Sequence, residues 1–414
     1  MNIPLDSGAT VLRDADRHLA PGIASLHRIM GSGGVEESAQ GAEVRLDTGR
    51  TVLDFGSYAV PLYGHRPARV LDAVRQSLDA VPATTRLLAN PYPSSFAARL
   101  VEKLEPDRLT RVWLGLNGSD AVETALKLAI AGTGRTRLLA AERAFHGKTL
   151  GALAVTSDAV RRAPFLGLVQ HASHLPLEPD AVARAAEQAP FAALIVEPVQ
   201  GEGGGRFLPP ALLRRWSEDA HAAGAFVIAD EIQVGLRRCG PVSLAIDYGM
   251  RPDAVLFGKA LGGGVMPLSA VVCTRDMFTP LIDDPFFHTT TFGGHPASCA
   301  AGLAGLALLD SMAPAAERVG RQLSDGLELL AKQHVGVVTA TRSMGAFGVI
   351  EFGSSELANA ALFQCGRQGL LMARCLSVPN TVRLLPPLVT TDAQLAQAMD
   401  ILDTSCAKLT RGRG

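Results

Sequence analysis

Lys259 stands where an apolar segment runs into glycine, a setting that suits an amine that reacts with a carbonyl group. The segment Ala254-Val-Leu-Phe leads to Gly258-Lys259, and Gly262-Gly-Gly follows. A lysine that forms an imine must be partly neutral, and burial against apolar neighbours lowers the pKa of its ammonium group. A lysine at the end of a strand is more often a solvated charge, so the pattern alone leaves both interpretations open. Lys259 is therefore a candidate Schiff-base lysine.

Asp230 ends a second apolar segment, Phe226-Val-Ile-Ala, which the pattern predicts as a buried strand. The carboxyl ends of parallel strands form the sheet edge where ligands bind, and a carboxylate there needs a partner. In pyridoxal phosphate (PLP) enzymes that partner is the pyridine nitrogen, because the protonated ring withdraws electrons from the reacting carbon. A helix N-cap and a structural ion pair are the alternatives. A metal site is a poorer interpretation, since Asp230-Glu231 has no His or Cys at ligand spacing.

A phosphate-binding turn is predicted at Leu116-Asn-Gly-Ser-Asp, which opens directly into the helical pattern of residues 119–131. The first N–H groups of a helix carry the positive end of its dipole, so they bind phosphate well. Gly118 allows close approach of the backbone, and Ser119 adds a hydroxyl group. A capped helix with Asp120 in its first turn explains the same residues without a ligand.

These residues belong to a set of motifs through which the chain resembles class III, fold-type I, PLP-dependent aminotransferases, the group of ornithine, acetylornithine, putrescine and ω-amine enzymes. The resemblance runs from about Leu53 to Leu388. The motifs, in the order of that family, are Asn117-Gly-Ser-Asp-Ala, Phe145-His-Gly-Lys-Thr, Glu197-Pro-Val-Gln-Gly-Glu-Gly-Gly, Asp230-Glu-Ile-Gln with Lys259, and Thr289-Thr-Thr-Phe-Gly-Gly-His-Pro. Each motif alone has little specificity, whereas all of them together are highly specific.

The resemblance implies a PLP site and a role for each of its residues. Lys259 would hold the cofactor as a Schiff base and move the proton between substrate and cofactor, and Asp230 would bind the pyridinium. Gln233 would lie near the phenolic oxygen, and Phe145 would cover one face of the ring, which suits an aromatic side chain. The residues implied to bind the cofactor are Gly118, Ser119, Phe145, His146, Asp230, Gln233, Lys259 and Thr291.

The same resemblance implies a homodimer with shared active sites. Thr291 would reach the phosphate bound by the neighbouring subunit, and Thr290 would lie nearby on the substrate side. The implied fold is α/β, fold type I, with a mostly parallel sheet in a large domain and a smaller α+β C-terminal domain. We predict an N-terminal segment of the small domain at 1–52, the large PLP-binding domain at 53–295 and the small domain at 296–414.

Two further residues concern the co-substrate. Arg383 matches the family's arginine that grips an α-carboxylate with its planar guanidinium group. Glu202 matches the glutamate that pairs with this arginine when no carboxylate is bound. This pair implies that one pocket accepts glutamate or 2-oxoglutarate and also an amine without an α-carboxylate. Without the resemblance, Arg383 would be a surface charge and Glu202 an ordinary loop carboxylate.

The amine donor is predicted from Lys148 and Tyr58. Ornithine and acetylornithine enzymes carry arginine at the position of Lys148, where it binds a substrate carboxylate, whereas the putrescine branch carries lysine. A lysine is a point charge and not a fork. Tyr58 matches a tyrosine of ornithine enzymes in a segment that lines the substrate site, where it would hydrogen-bond the distal end of a substrate. We therefore expect a primary ω-amine or diamine donor, in specialised biosynthesis, with an ornithine-like amino acid as the alternative.

Two other functions share part of this evidence. An aminomutase or racemase of the same fold would keep Lys259 and Asp230, but the pair of Glu202 and Arg383 argues against it because an isomerase exchanges no co-substrate. A nucleotide-binding protein is the second alternative. Its glycine runs, at Gly201 and Gly262, fit neither the dinucleotide fingerprint nor the P-loop pattern.

Composition sets the outer limits. The chain has 414 residues, a net charge of −1 and a pI of about 6.8, so it has no basic stripe for nucleic acid and no charge that implies a partner class. Its six cysteines form no C-x-x-C pair and no metal spacing, which predicts a reduced, cytoplasmic protein. The start of the sequence lacks the pattern of a signal peptide, and no run of eighteen apolar residues predicts a membrane span.

Overall fold

The computed structural model describes residues 7–30, 32–85 and 87–411. Its helices are α1 (Gly8–His18), α2 (Pro21–Met30), α3 (Ala68–Ala80), α4 (Pro91–Glu102), α5 (Gly118–Thr133), α6 (Leu150–Val155), α7 (Ala159–Arg162), α8 (Leu166–Val169), α9 (Ala181–Gln188), α10 (Pro210–Ala222), α11 (Leu244–Asp247), α12 (Thr279–Asp283), α13 (Pro296–Leu309), α14 (Ala313–Gln333), α15 (Ser355–Gln368) and α16 (Asp392–Arg411). Short 3₁₀ turns occupy Ser57–Ala59, Ala163–Phe165 and Lys259–Gly262.

The strands are β1 (Glu36–Gln40), β2 (Glu43–Leu46), β3 (Thr51–Asp54), β4 (Arg111–Gly115), β5 (Leu138–Ala141), β6 (Ala172–Leu175), β7 (Ala193–Val196), β8 (Val199–Gln200), β9 (Arg206–Phe207), β10 (Phe226–Asp230), β11 (Ala254–Phe257), β12 (Ser269–Cys273), β13 (Val338–Met344), β14 (Phe347–Phe352), β15 (Leu370–Leu371), β16 (Ala373–Arg374) and β17 (Thr381–Leu384). The alternation of short apolar strands with helices between β4 and β11 follows the sequence pattern closely.

The chain folds into two compact units. The large unit comprises residues 68–316 together with 376–378. The small unit comprises the described residues up to Pro67, residues 317–375 and the described residues from 379 onward. Each unit has its own sheets and its own buried core. The chain therefore leaves the small unit after its first strands and returns to it within α14.

These boundaries differ from the predicted domain boundaries after residues 52 and 295. β3 pairs with β2 and with β15 in a sheet of the small unit, so residues 53–67 stay with that unit. α13, which the sequence prediction assigns to the small domain, packs on α3 and α4 and belongs to the large unit. Both segments show ordinary strand and helix patterns, and such patterns do not tell which core a segment joins.

A seven-stranded sheet forms the centre of the large unit in the described residues, in the order β4-β12-β11-β10-β7-β5-β6. β12 runs antiparallel to β11 and β4, and the remaining neighbouring pairs are parallel. β5, β7 and β11 are buried along their whole length. Continuous apolar strands are typical of a parallel sheet covered on both faces. The prediction of a mostly parallel α/β sheet is confirmed.

Helix α5 has a well-defined cap at each end. The side chain of Asn117 caps its N-terminus. Its C-cap is Gly134, in the left-handed conformation (φ 67°) that glycine adopts without strain. Full burial of each leucine or valine stabilises the fold by about 1.5–3 kcal/mol. The residues of α5 buried against the sheet are Ala121, Val122, Thr124, Ala125, Leu126, Leu128 and Ala129. Packing of this face holds the helix start at the carboxyl end of β4.

The small unit contains two sheets of its own. One has the order β1-β2-β3-β15, in which only the pair of β3 and β15 is parallel. The other has the order β13-β14-β17-β16 and is antiparallel throughout. Helices α15 and α16 pack on each other, and α15 also contacts β14 and β17. This agrees with the predicted α+β character of the smaller part.

No single helix of the described residues has the length and apolar composition needed to cross a membrane. Helices α13 and α14 meet this requirement of length and composition only when they are counted together, and the chain bends by 74° between them.

Gly302 marks the tight crossing of α13 over α4. A Cβ atom on Gly302 would lie 2.6 Å from Cε2 of Phe96 and 2.8 Å from Cδ2 of Leu268. Phe96 and Leu268 are both buried, so neither side chain has free space into which it can move. Helices α13 and α4 can therefore approach this closely only because residue 302 is glycine.

We expect Gly302→Ala to lower the free energy of unfolding by about 1–3 kcal/mol, because overpacking forces the helices apart. Gly22→Ala is the matched control. Gly22 lies in α2 with no atom within 4 Å of the added Cβ, and alanine is the better helix former there. Thermal unfolding followed by circular dichroism compares the two. Equal shifts in both variants would contradict the close packing.

Candidate active site

A cavity of about 720 Å³, a volume that includes space open to solvent, lies at the carboxyl ends of the parallel strands of the large unit. Its walls come from the segments that follow β4, β5, β7, β10 and β11. This edge is where open α/β sheets bind ligands. The lining residues are Asn117, Gly118, Ser119, Phe145, His146, Gly147, Glu197, Val199, Glu202, Asp230, Ile232, Gln233, Val234 and Lys259.

Asp230 and His146 form a buried pair at the base of this cavity. Nδ1 of His146 lies 2.7 Å from Oδ2 of Asp230, and both side chains are almost completely buried. The N–H of Ile232 donates to the other carboxylate oxygen at 3.1 Å. An ionised carboxylate only accepts hydrogen bonds, so Nδ1 of His146 carries the hydrogen. The structure thus gives Asp230 two donors and holds its orientation.

The start of α5 is capped and also lines the cavity. Oδ1 of Asn117 accepts from the N–H of Asp120 at 3.2 Å, and Oδ2 of Asp120 accepts from the N–H of Leu116 at 3.0 Å. The next N–H groups, those of Gly118 and Ser119, are the first of the helix and have no acceptor within it. The capped-helix interpretation is therefore correct, and it leaves two N–H groups at the cavity for an anion.

Gly147 lets the segment after β5 pass close to this helix start. Its φ of 135° is one that side-chain-bearing residues rarely adopt, and a Cβ there would lie 2.3 Å from Oγ of Ser119. On the other side, a Cβ on Gly118 would lie 3.0 Å from Cγ2 of Ile232. A side chain at Gly147 would clash with Ser119, and one at Gly118 would press on Ile232, so both positions require glycine for this close packing.

Lys259 enters the cavity directly after β11. It is half-buried and opens the 3₁₀ turn Lys259–Gly262 with φ 47°, in the left-handed region. A residue other than glycine is strained there, and such strain concentrates at functional sites. The backbone conformation therefore supports the candidate role that the sequence gives to Lys259.

Glu197 is a site residue to which the sequence analysis assigns no role of its own. It follows β7, is 6% exposed and accepts the N–H of Phe145 at 2.9 Å. Burial, and then the nearby carboxylate of Asp230, raise the pKa of Glu197 well above its ordinary value. The signal in the sequence that could have identified Glu197 is its position at the end of an apolar strand, which Asp230 shares. Glu197 thereby fixes the backbone of Phe145.

Three predicted residues of the large unit are not among the residues that line this cavity. Lys148 is exposed, and its Nζ lies 5.9 Å from the ring centroid of Phe145. Thr290 is half-buried and Thr291 is exposed, in the segment between α12 and α13. Nε1 of Trp113 on β4 donates to the carbonyl of His288 at 3.1 Å and anchors this segment.

Glu202 is buried and held by backbone contacts within the large unit. Its Oε2 accepts from the N–H of Leu376 at 3.0 Å, and its carbonyl accepts from the N–H of Ser377 at 3.1 Å. Its side chain also lines the cavity. An ordinary solvated loop carboxylate would be exposed, so that alternative does not describe Glu202.

Tyr58 and Arg383 lie in the small unit. Tyr58 is 70% exposed and has φ 51° in its 3₁₀ turn, so core packing does not explain it. Arg383 lies on β17, is 1% exposed and donates from Nη2 to the carbonyl of Arg374 at 3.1 Å. The alternative that Arg383 is a surface charge is therefore wrong. Burial of an arginine is rare and is a property of a functional or a structural centre.

The family model for Aminotransferase class-III matches residues 34–405, which is most of the chain. The chain belongs to the class-III aminotransferase family. The match confirms the family, the enzyme class and the fold type that the sequence motifs predict. In this aminotransferase, four of the five motifs contribute residues to the lining of the cavity, namely Asn117, Phe145, Glu197, Asp230 and Lys259.

Solved structures extend the comparison. The ornithine aminotransferase of Toxoplasma gondii ME49 is 25% identical with a TM-score of 0.88, over 99% of this chain and 97% of that one. An amine transaminase from an uncultivated Pseudomonas species, in a PLP-bound form, is 27% identical with a TM-score of 0.82, over 91% and 95%. The taurine:2-oxoglutarate aminotransferase of Bifidobacterium kashiwanohense shares the fold (TM-score 0.88, 22% identity, 98% and 99%).

The raised pKa of Glu197 predicts a pH-dependent stability of the protein without cofactor. In the unfolded chain this carboxyl ionises near its ordinary value of 4.5, whereas in the folded chain it keeps its proton to higher pH. The folded state therefore loses stability as the pH rises above the ordinary value. Glu197→Gln keeps an acceptor for the N–H of Phe145 but cannot ionise, so we expect it to lose less stability than the parent between about pH 5 and pH 8.

Thermal unfolding midpoints across that range measure the difference. Glu187→Gln, at an exposed glutamate of α9, is the matched control and is expected to follow the parent. Parallel profiles of Glu197→Gln and the parent would mean that Glu197 is ionised in the folded protein.

Proposed function

We propose that this aminotransferase uses PLP to move an amino group between a primary ω-amine or diamine, or the corresponding aldehyde, and glutamate or 2-oxoglutarate. The composition of the cavity carries the proposal. It places the amine of Lys259 and the carboxylate of Asp230 together, as a PLP site requires, and Glu202 also lines it. The donor class rests on Lys148, a lysine where ornithine and acetylornithine enzymes carry arginine.

The cavity fits PLP at each of the cofactor's functional groups. The N–H groups of Gly118 and Ser119, at the positive end of α5, suit the phosphate. The carboxylate of Asp230 suits the pyridinium nitrogen, and the amine of Lys259 suits the aldehyde carbon. Gln233 and Phe145 also line the cavity, as the resemblance implies for residues that contact the ring.

PLP held by these residues would supply an electron-withdrawing ring and a carrier for the amino group. Nζ of Lys259 removes the proton from that carbon and returns a proton, a general acid and base role. Asp230, whose orientation is fixed by His146, would hold the ring nitrogen and favour its protonated form. Glu197 fixes Phe145 through the backbone. The apolar side chains of Phe145 and Ile232 limit the access of water to the reacting groups.

Glutamate and 2-oxoglutarate share one carboxylate-binding group in this proposal. Arg383 would grip the α-carboxylate, and Glu202 would neutralise Arg383 while a donor without an α-carboxylate is bound. The burial of both side chains supports roles beyond surface charge. Lys148, rather than arginine, favours a donor without a carboxylate at that position. An ornithine-like donor is the second candidate, favoured by the likeness to the T. gondii ornithine aminotransferase.

We expect the PLP-loaded enzyme to convert L-glutamate to about one equivalent of 2-oxoglutarate per active site when no acceptor is present, because each half-reaction of a ping-pong enzyme runs alone. The cofactor's absorbance changes with the same stoichiometry. Lys259→Ala is expected to lower the rate at least about 10³-fold, since it removes both the covalent anchor and the proton carrier. The donor is then identified by offering putrescine, cadaverine or ornithine to the PLP-loaded enzyme with 2-oxoglutarate as the acceptor. The rate of glutamate formation is measured for each donor.

Asp247→Asn, on the exposed part of α11, is a matched surface control for the loaded enzyme. No 2-oxoglutarate from L-glutamate would exclude glutamate as the partner. Formation of an isomerised product without any 2-oxo acid would replace the proposal with an aminomutase or racemase. Faster turnover of ornithine than of both diamines would select the second candidate.

The proposal includes a homodimer in which each subunit completes the other's site. Thr291 is exposed and follows an apolar stretch in which Phe286 is 81% exposed, and Phe292 beside it is 56% exposed. Clustered exposed aromatic side chains mark surfaces that bind a partner. A second copy of the chain on this surface would bring Thr291 to the phosphate of the neighbouring site, as the resemblance implies.

We expect a mixture of two inactive variants to regain activity. Lys259→Ala removes the amine, and Thr291→Asp places a negative charge beside the phosphate of the partner site. A mixed dimer has one site with both lesions and one intact site, so random reassociation restores about a quarter of the parent activity. Activity after joint refolding measures this recovery. Failure to recover activity, with mixed dimers shown by native mass spectrometry, would exclude shared sites.

A further inference from the structure

His288, which lies between α12 and α13, is held against the large unit by Trp113. The two rings stack, with their centroids 5.3 Å apart and an angle of 26° between their planes. Nε1 of Trp113 also donates to the carbonyl of His288 at 3.1 Å. Trp113 is 8% exposed and belongs to β4, which pairs with β12 in the central sheet. One buried side chain therefore restrains both the ring and the backbone of His288.

Lys127 of α5 restrains the same segment from the helix. Its Nζ lies 3.0 Å from Nδ1 of His288 and 5.4 Å from the ring centroid of Phe287. An ammonium group only donates, so this Nδ1 accepts. Burial, and then the charge of Lys127, lower the pKa of His288 below its ordinary value of 6.5, so the ring is neutral and can accept near pH 7. A cation beside an aromatic ring is attracted to it, so Lys127 holds two consecutive residues of the segment.

The turn that carries Thr291 follows directly and also lies close to β4. The N–H of Gly293 donates to the carbonyl of Thr290 at 3.1 Å. A Cβ on Gly293 would lie 2.7 Å from the carbonyl oxygen of Leu114, so glycine lets the turn pass this close to the strand. Thr291 itself is exposed. The restraints at His288, before Thr291, and at Gly293, after it, therefore help to set where Thr291 lies.

The strand and the helix that hold this segment also form the candidate phosphate site. β4 ends at Gly115 and α5 begins at Gly118, which lines the cavity. The first N–H groups of α5 have no acceptor within the helix and suit an anion. Trp113 belongs to this strand and Lys127 to this helix. The two elements that offer N–H groups to a phosphate thus also hold the segment of Thr291.

We propose that His288, held by Trp113 and Lys127, is a positioning residue for the cofactor phosphate of the neighbouring subunit. It sets the position of Thr291 and thereby the affinity of the neighbouring subunit for that phosphate. His288 and Lys127 act through Thr291 and contact no ligand themselves. A hydroxyl group that is already in place when the cofactor arrives costs less conformational entropy on binding. The inference rests on the proposed homodimer, in which Thr291 reaches the phosphate of the other site.

Cofactor binding to the full-length protein freed of PLP tests the inference. The probes are PLP and pyridoxal, which has the same ring but no phosphate, and the absorbance of the Schiff base with Lys259 reports binding. We expect His288→Ala to weaken PLP about tenfold and to leave pyridoxal unchanged, because only the phosphate depends on Thr291. His288→Asn keeps an acceptor close to the position of Nδ1, so we expect it to restore part of the affinity. His171→Ala, at an exposed histidine beside β6, is the matched control.

Lys127→Met is a second, independent variant. Lys127 is exposed, so we expect its replacement to leave the fold intact, and methionine keeps an unbranched side chain beside Phe287. PLP binding is expected to weaken by a smaller factor than in His288→Ala, because Trp113 still holds His288. Weakening of PLP and pyridoxal by equal factors would leave these residues with a structural role only. That result, or unchanged binding of PLP, would overturn the inference.

Mixed dimers, isolated with a different affinity tag on each subunit, show in which subunit His288 acts. When the parent chain pairs with the double variant Lys259→Ala/His288→Ala, only the parent subunit forms the Schiff base, and the Thr291 beside its phosphate comes from the variant. We expect weakened PLP binding in this dimer. When Lys259→Ala pairs with His288→Ala, the only Schiff base forms beside an intact Thr291 segment, so we expect the affinity of the parent. The reverse pattern would place the action of His288 within its own subunit and contradict the inference.

Thr291→Val separates this inference from the proposed function. It removes the hydroxyl group and leaves His288 and its contacts unchanged. If Thr291→Val does not reduce the preference for PLP over pyridoxal, the proposed phosphate contact itself is wrong. If it reduces that preference and His288→Ala does not, the contact stands and the positioning role of His288 is wrong.

Discussion

The site depends first on the buried hydrogen bond between His146 and Asp230. A carboxylate that is 5% exposed has lost most of its hydration, and such burial is very costly without donors. β7 lies between β10 and β5 in the sheet, so the segment after β5 must cross the end of β7 to deliver His146. Glu197 stands at that end and accepts the N–H of Phe145. The carboxyl group of Glu197 thus holds the segment of Phe145 and His146, and His146 in turn supports the carboxylate of Asp230.

Much of the fold could be predicted from the sequence because the buried strands are continuous apolar runs. β4, β5, β7, β10 and β11 all follow this pattern. β12 is equally apolar, but the antiparallel direction of a strand is set by the connections around it and not by its side chains. β6 carries Ser173 and His174 in a half-buried edge strand, so its pattern is weak. No local sequence pattern indicates that residues 53–67 join the small unit or that α13 joins the large unit.

Some residues of the candidate site can be predicted from local sequence patterns, and others cannot. Those that follow strands of one sheet, such as Lys259 and Asp230, meet because the sheet brings its carboxyl ends together. Tyr58 and Arg383 belong to the other compact unit, and sequence separation says nothing about their distance from the cavity. Thr291 is exposed within a single chain, so the role proposed for it would need a second copy of the chain. The family resemblance supplies those assignments, and local patterns do not.

The charge of the site follows from burial rather than from residue type. Glu197 and Asp230 are both buried carboxyl groups near one another, and two such groups do not both ionise readily. Burial and Asp230 raise the pKa of Glu197, whereas Asp230 has the ring N–H of His146 and the backbone N–H of Ile232 as donors. Glu197 therefore keeps its proton to higher pH than an ordinary glutamate does. A sequence lists two acidic residues, but only the folded structure shows which of them has both a ring N–H and a backbone N–H as donors.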